Sequence, residues 1–163
     1  MILSKTSKTQ NWWHPMSNEH SPLSSWHETP LRYLGSPALL MKEVTGLTPS
    51  RHQLLLSRYF VAAATSPRQE FLDAELPVRH GKTTILSKAG MLWAILNWPE
   101  RNFLVTSSSD DLLTEIGTYL QDGVRLIGPR IGVGIRKSKS ALNHWMTNKG
   151  GEVMVTTTGT AFQ

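Results

Sequence analysis

The stretch GKTTILSKAGMLWAILNWP, residues 81–99, does most to restrict the possible folds. Ile85, Ala89, Leu92 and Leu96 recur at helical spacing, Leu86 and Trp93 widen the face they form, and Pro99 closes the run. The spacing predicts a helix with one broad apolar side, which has to be buried against a second layer. The segments around it supply that layer. NFLVTSSS (102–109) reads as a short buried strand, DDLLTEIGTYLQDGVRLIG (110–128) as a helix opened by acids at its positive end, and GEVMVTTTG (151–159) as a strand rich in Val and Thr. Upstream, SPALLMKEVTG (36–46) reads as a short helix capped by Ser36, with Pro37 in its first turn and Gly46 at its end. TPSRHQLLLSRYFVAAATS (48–66) reads as a second helix, capped by Thr48, with an apolar stripe of Leu55, Tyr59 and Ala62 or Ala63. QEFLDAELP (69–77) reads as a strand ending at Pro77, although Asp73 and Glu75 are unusual in a central strand. Alternation of this kind predicts an α/β fold, a mainly parallel sheet flanked by helices, with the strand carboxyl ends on one edge.

Residues 36–163 therefore form the expected domain, and residues 1–35 an irregular N-terminal arm rich in Ser, Thr, Asn, His and Pro. Trp12, Trp13 and Trp26 in that arm are expected to seek burial, on the chain's own core before a partner. His14, His20 and His27 have irregular spacings and support no metal site. The chain has no cysteine, which excludes disulfides and thiolate metal centres. Its net charge of +5 favours an anionic partner, although a solvated basic surface fits equally well. The N-terminus lacks the apolar run of a signal peptide, and AGMLWAILNW is too short to cross a bilayer, so a cytoplasmic protein without membrane contact is expected.

ELPVRHGKTT (75–84) carries the chemistry. A phosphate-binding loop needs a glycine for close backbone approach, a helix start whose amides face the anion, a lysine for the terminal phosphates and a hydroxyl for Mg²⁺. Gly81, Lys82, Thr83 and Thr84 meet these needs between an expected strand and an expected helix, the context that such a loop requires. Lys82 and Thr83 would otherwise merely cap a surface helix. Leu76 stands where the first glycine of such loops is usual. Arg79 adds a fixed cation near the γ-phosphate, or else pairs with an acid on its own surface. His80 reads as a loop-structuring residue before a catalytic one.

PVRHGKTT resembles the Pro-x-Arg-His-Gly-Lys-Ser/Thr loop of phage terminase large subunits, the ATPase motors that package viral DNA. That family often lacks the first glycine. TPSRHQLLLSRYF resembles the helix before the loop, NFLVTSSSDDLLTEIG the following strand and acid-opened helix, and NKGGEVMVTTTGTAFQ the Gly-Gly-containing strand segment, a likeness spanning roughly residues 48–163. The resemblance implies a P-loop NTPase fold, incomplete at its C-terminal end, with ATP and Mg²⁺ as cofactors. It implies Lys82 and Arg79 as catalytic residues, Gln53, Arg79, His80, Gly81, Lys82, Thr83 and Thr84 as nucleotide contacts, and Thr83 at the metal. Gln53 would touch adenine, unless it is simply a glutamine on an exposed helix face. The implied partners are double-stranded DNA, the portal protein and the terminase small subunit, with a homo-oligomeric ring in the complete protein.

The pattern departs from the family downstream. An apolar strand ending in adjacent acids is expected after TTTGTAFQ and is not in this sequence; Asp110 and Asp111 read as helix-start acids instead. Nucleotide binding with very poor turnover is the expectation for this piece. Two other readings stay open, a helicase-like or repair ATPase and a non-catalytic nucleotide- or DNA-binding module. RIGVGIRKSKSALNHW (130–145) gathers Arg130, Arg136, Lys137 and Lys139 beside Trp145, either a DNA contact with a stacking tryptophan or a solvated hairpin.

Overall fold

A computed structural model describes residues 32–77 and 79–158; Arg32 and Lys139 are described in backbone only. The tryptophans and histidines of the arm, Val78 and residues 159–163 lie outside the described residues. The chain enters through a 3₁₀ turn, Arg32–Gly35, whose Tyr33 and Leu34 are already buried in the core. Helices α1 (Pro37–Thr45) and α2 (Arg51–Thr65) follow. A π-helical segment, Thr83–Gly90, runs directly into α3 (Met91–Asn97). Then come β1 (Phe103–Ser107), α4 (Asp110–Ile127), a 3₁₀ turn at Gly128–Ile131, β2 (Ile135–Ala141), β3 (His144–Thr147) and β4 (Glu152–Thr157). Among the described residues no helix is long and apolar enough to cross a membrane.

The fold is α/β, with helices packed on a four-stranded sheet of order β1-β4-β3-β2. The sheet is mixed rather than mainly parallel. Only β1 and β4 run parallel, paired from Phe103–Val153 to Ser107–Thr157, while β4–β3 and β3–β2 are antiparallel. The reason lies in residues 135–147. They form a hairpin turned at Leu142 and Asn143, and a hairpin imposes antiparallel pairing whatever its neighbours do.

The expected strand at 69–77 is also corrected. This segment has no regular structure and is mostly exposed, with Phe71 88% accessible. A strand exists only through its partners, and β1 takes β4 as its neighbour instead. Leu72 and Glu70 line a shallow cleft with Phe60, Ala63, Ala64 and Leu86, so the segment runs beside α2 and the π segment.

The helix ends show how local signals are overridden. Ser36 makes no cap; its hydroxyl meets that of Ser57 at 2.9 Å, and Ser57 accepts the Ala38 N–H at 3.2 Å. The capping oxygen of α1 is thus lent by α2. Helix α2 starts after Ser50 rather than Thr48, through a capping box in which Gln53 Oε1 accepts the Ser50 N–H at 3.0 Å. That start sets the phase of the helix. Leu55 and Tyr59, expected on its buried stripe, are half exposed, and Leu56, Ser57 and Phe60 face inward.

Two apolar clusters hold the layers together. The larger joins Leu92, Trp93 and Ile95 of α3 to Ile116, Leu120 and Val124 of α4 and to the inner sheet face, Val105, Trp145, Val153 and Val155. The α3–α4 approach depends on Gly123, where a Cβ would stand 2.3 Å from Leu92 Cδ2. The smaller cluster, Ala38, Met41, Ile85 and Ala89 with Leu56 and Leu86 against it, seats the π segment on α1 and α2. It is this second cluster that fixes where residues 79–84 sit.

Candidate functional site

The loop before the π segment is built from unusual backbone. The His80 N–H reaches the Pro77 carbonyl at 3.4 Å, closing a turn with Arg79 as its third residue. Arg79 has φ +66 and Gly81 φ +74, both left-handed. For glycine this conformation costs little; for arginine it is strained, and strain of this kind gathers at functional sites. Lys82 then turns right-handed, φ −53 and ψ −52, and the Ile85 N–H bonds to the Gly81 carbonyl at 3.0 Å. The first amides of the helix, at Lys82, Thr83 and Thr84, have no acceptor within it. A left-handed glycine followed by a right-handed helix start makes a concavity of backbone N–H groups suited to an anion.

The side chains follow from this backbone. Arg79, His80 and Lys82 are exposed, and Thr83 and Thr84 are half-buried at the start of the π segment. None of the ion pairs among the described residues involves Arg79 or Lys82, so the surface-acid alternative for Arg79 finds no partner there. The helix continues with wider π turns, the Met91 N–H reaching back to the Leu86 carbonyl. Such turns are rare and recur at functional sites.

Helix α2 brings its first turn against the loop. Gln53 Nε2 occupies the space beside Gly81, 2.6 Å from where a Cβ on that residue would lie. His52 Nε2 lies 2.8 Å from the His80 carbonyl, and the two imidazole rings stand 6.0 Å apart. The structure thus gathers Gln53 with residues 79–84. Reading the sequence for chemistry alone missed His52; the Ser50-x-x-Gln53 capping box was the available signal that this turn is ordered.

Other candidates are placed elsewhere. Asp110 and Asp111 are exposed in the first turn of α4, behind the Ser109 cap. Asp110 and Thr114 line a crevice of about 230 Å³ at the carboxyl end of β4, with Asn143 and Thr156; none of residues 79–84 lines it. In the hairpin, Arg136 and Lys137 are exposed on β2, and Arg130 is held by Glu43 at 3.3 Å and the Tyr33 hydroxyl at 3.4 Å. Trp145 is completely buried on the inner sheet face. Of the two readings of this stretch, the one with Trp145 stacked on nucleic acid is corrected: its ring is core. No family model, curated protein or solved structure matches the chain.

Proposed function

We propose that residues 79–84 hold the phosphates of ATP with Mg²⁺, in the ATP-binding part of a viral DNA-packaging motor of the terminase large-subunit kind. One observation carries the nucleotide reading: left-handed Gly81 stands directly before right-handed Lys82 at a helix start. In this reading the amides of residues 82–84 cradle the phosphates and the Lys82 ammonium reaches the terminal ones. The Thr83 hydroxyl serves Mg²⁺, Thr84 and His80 shape the loop, and Arg79 offsets charge near the γ-phosphate. Gln53, set beside Gly81 by α2, faces the nucleotide. Bound ATP supplies the phosphoanhydride whose hydrolysis would drive translocation in the complete protein.

The motor assignment rests on the likeness of the Pro-x-Arg-His-Gly-Lys-Thr loop to terminases, and with it come the P-loop NTPase fold, the host-cell cytoplasm, double-stranded DNA, portal protein, small subunit and an oligomeric ring. The exposed Arg136 and Lys137 offer contacts to DNA phosphates. A second reading, nucleotide binding without turnover, is favoured by the position of Asp110 and Asp111 in the first turn of α4, away from residues 79–84.

The test is a titration of a fluorescent ATP analogue with Mg²⁺ into wild type and Lys82→Ala, both shown to be folded by circular dichroism. The variant loses a charge-assisted phosphate contact and is expected to bind about tenfold more weakly or worse. Equal affinities in the two folded proteins would refute the assignment.

A further inference from the structure

A strained loop keeps its shape only where its surroundings hold it. Arg79 at φ +66 is such a place, flanked by the left-handed Gly81. One bond that reaches this loop from outside it runs from His52 to the His80 carbonyl, 2.8 Å long and 28 residues apart in sequence. A carbonyl only accepts, so Nε2 of His52 carries the proton and donates it. The Ser50 hydroxyl lies 3.1 Å from Nδ1 and 3.2 Å from Nε2 of the same ring, but its one proton goes to Gln53 Oε1 at 3.1 Å. Ser50 therefore packs against the ring without donating to it, and the bond to the loop is what orients His52. Helix α2 is in turn seated through Leu56 and Phe60.

We infer that His52 is a positioning residue of this site: its Nε2–H, carried on the first turn of α2, holds the His80 carbonyl and thereby fixes the backbone that aims the amides of residues 82–84 at an anion. His52 touches no ligand in this role. The inference rests on the phosphate-loop reading for its consequence in binding, but the tether itself is a property of the ligand-free protein. Glutamine is the conservative replacement, because its Nε2 can donate along the same line, whereas alanine cannot.

The experiment compares wild type, His52→Ala and His52→Gln as full chains. Exchange of the bonded amides of the loop, His80 and Ile85, is measured without nucleotide, with the amides of α4 as internal standard for an intact fold, and affinity for a fluorescent ATP analogue with Mg²⁺ is measured in parallel. In His52→Ala, exchange at His80 and Ile85 should rise and affinity fall by about three- to tenfold, the loss expected for one exposed hydrogen bond. In His52→Gln both should return to within about twofold of wild type. Unchanged loop exchange in His52→Ala, with α4 protected as in wild type, overturns the tether. So does a His52→Gln protein that exchanges like His52→Ala. If no protein binds the analogue, the phosphate-loop reading fails, and the exchange comparison still decides whether His52 holds the loop.

Discussion

The side-chain amide of Gln53 takes the place that a β-carbon on residue 81 would need, with Nε2 only 2.6 Å from that position. A residue on the first turn of one helix and a residue at the mouth of another are thereby made to depend on each other. Gln53 is held there because its own oxygen accepts the Ser50 N–H.

Gly81→Ala should destabilise the protein by about 1–2 kcal/mol, chiefly because alanine resists a left-handed φ. The contact with Gln53 adds a smaller part, since that side chain can swing away at the expense of its capping bond. Urea unfolding of Gly81→Ala, Gln53→Ala and the double variant should show non-additivity of about 0.5 kcal/mol or more. Strict additivity would mean that the two residues do not meet.

Gly123→Ala should destabilise the fold, although alanine is the better helix former by about 1 kcal/mol. The added carbon would lie 2.3 Å from Leu92 Cδ2 in a fully buried pairing, and overpacking of this kind costs about 1–3 kcal/mol. Combining it with Leu92→Ala should give a smaller loss than the sum of the two single losses. A Gly123→Ala protein that melts at or above the wild-type temperature would show that α3 and α4 are not in close contact.

The two buried tryptophans should respond differently to replacement by phenylalanine. Trp93 donates its indole N–H to the Leu34 carbonyl, whereas the buried Trp145 indole N–H has no hydrogen-bond partner among the described residues. Trp93→Phe loses a made bond, while Trp145→Phe removes an unpaired donor and offsets part of the lost packing. Trp93→Phe should be the more destabilising by about 1 kcal/mol in denaturant unfolding. The reverse order would place the partner on the wrong tryptophan.

Burial pushes the Tyr119 phenol from its ordinary value of 10.0 up to about 12. The folded protein then keeps a proton that the unfolded chain gives up, so this contribution is complete below pH 10 and is lost as pH rises towards 12. Its hydroxyl is buried without a hydrogen-bond partner among the described residues. Tyr119→Phe should unfold much like wild type at pH 9, and should retain more stability than wild type, on the order of 1 kcal/mol, at pH 11. Parallel loss in both proteins between those pH values would assign the alkaline sensitivity to other groups.

Local signals by themselves determined the helix of α4, the strand at 103–107, the apolar face of Ile85, Ala89, Leu92 and Leu96, and the glycine–lysine–threonine helix start. Each is written in neighbouring residues, through periodicity, an acid-rich first turn or a glycine whose φ few others adopt. The tertiary structure decided the rest, because the deciding partner lay far away in sequence. Ser57 supplies the cap that Ser36 was expected to provide, β4 takes the place beside β1, and the extended segment at 69–77 finds no strand to pair with. Leu55 and Tyr59 look apolar enough for a core, yet α2 turns Leu56, Ser57 and Phe60 towards α1 and the π segment. His52 was silent in the sequence for the same reason. A histidine near a helix start becomes a tether only when the fold brings a distant carbonyl, that of His80, to 2.8 Å from it.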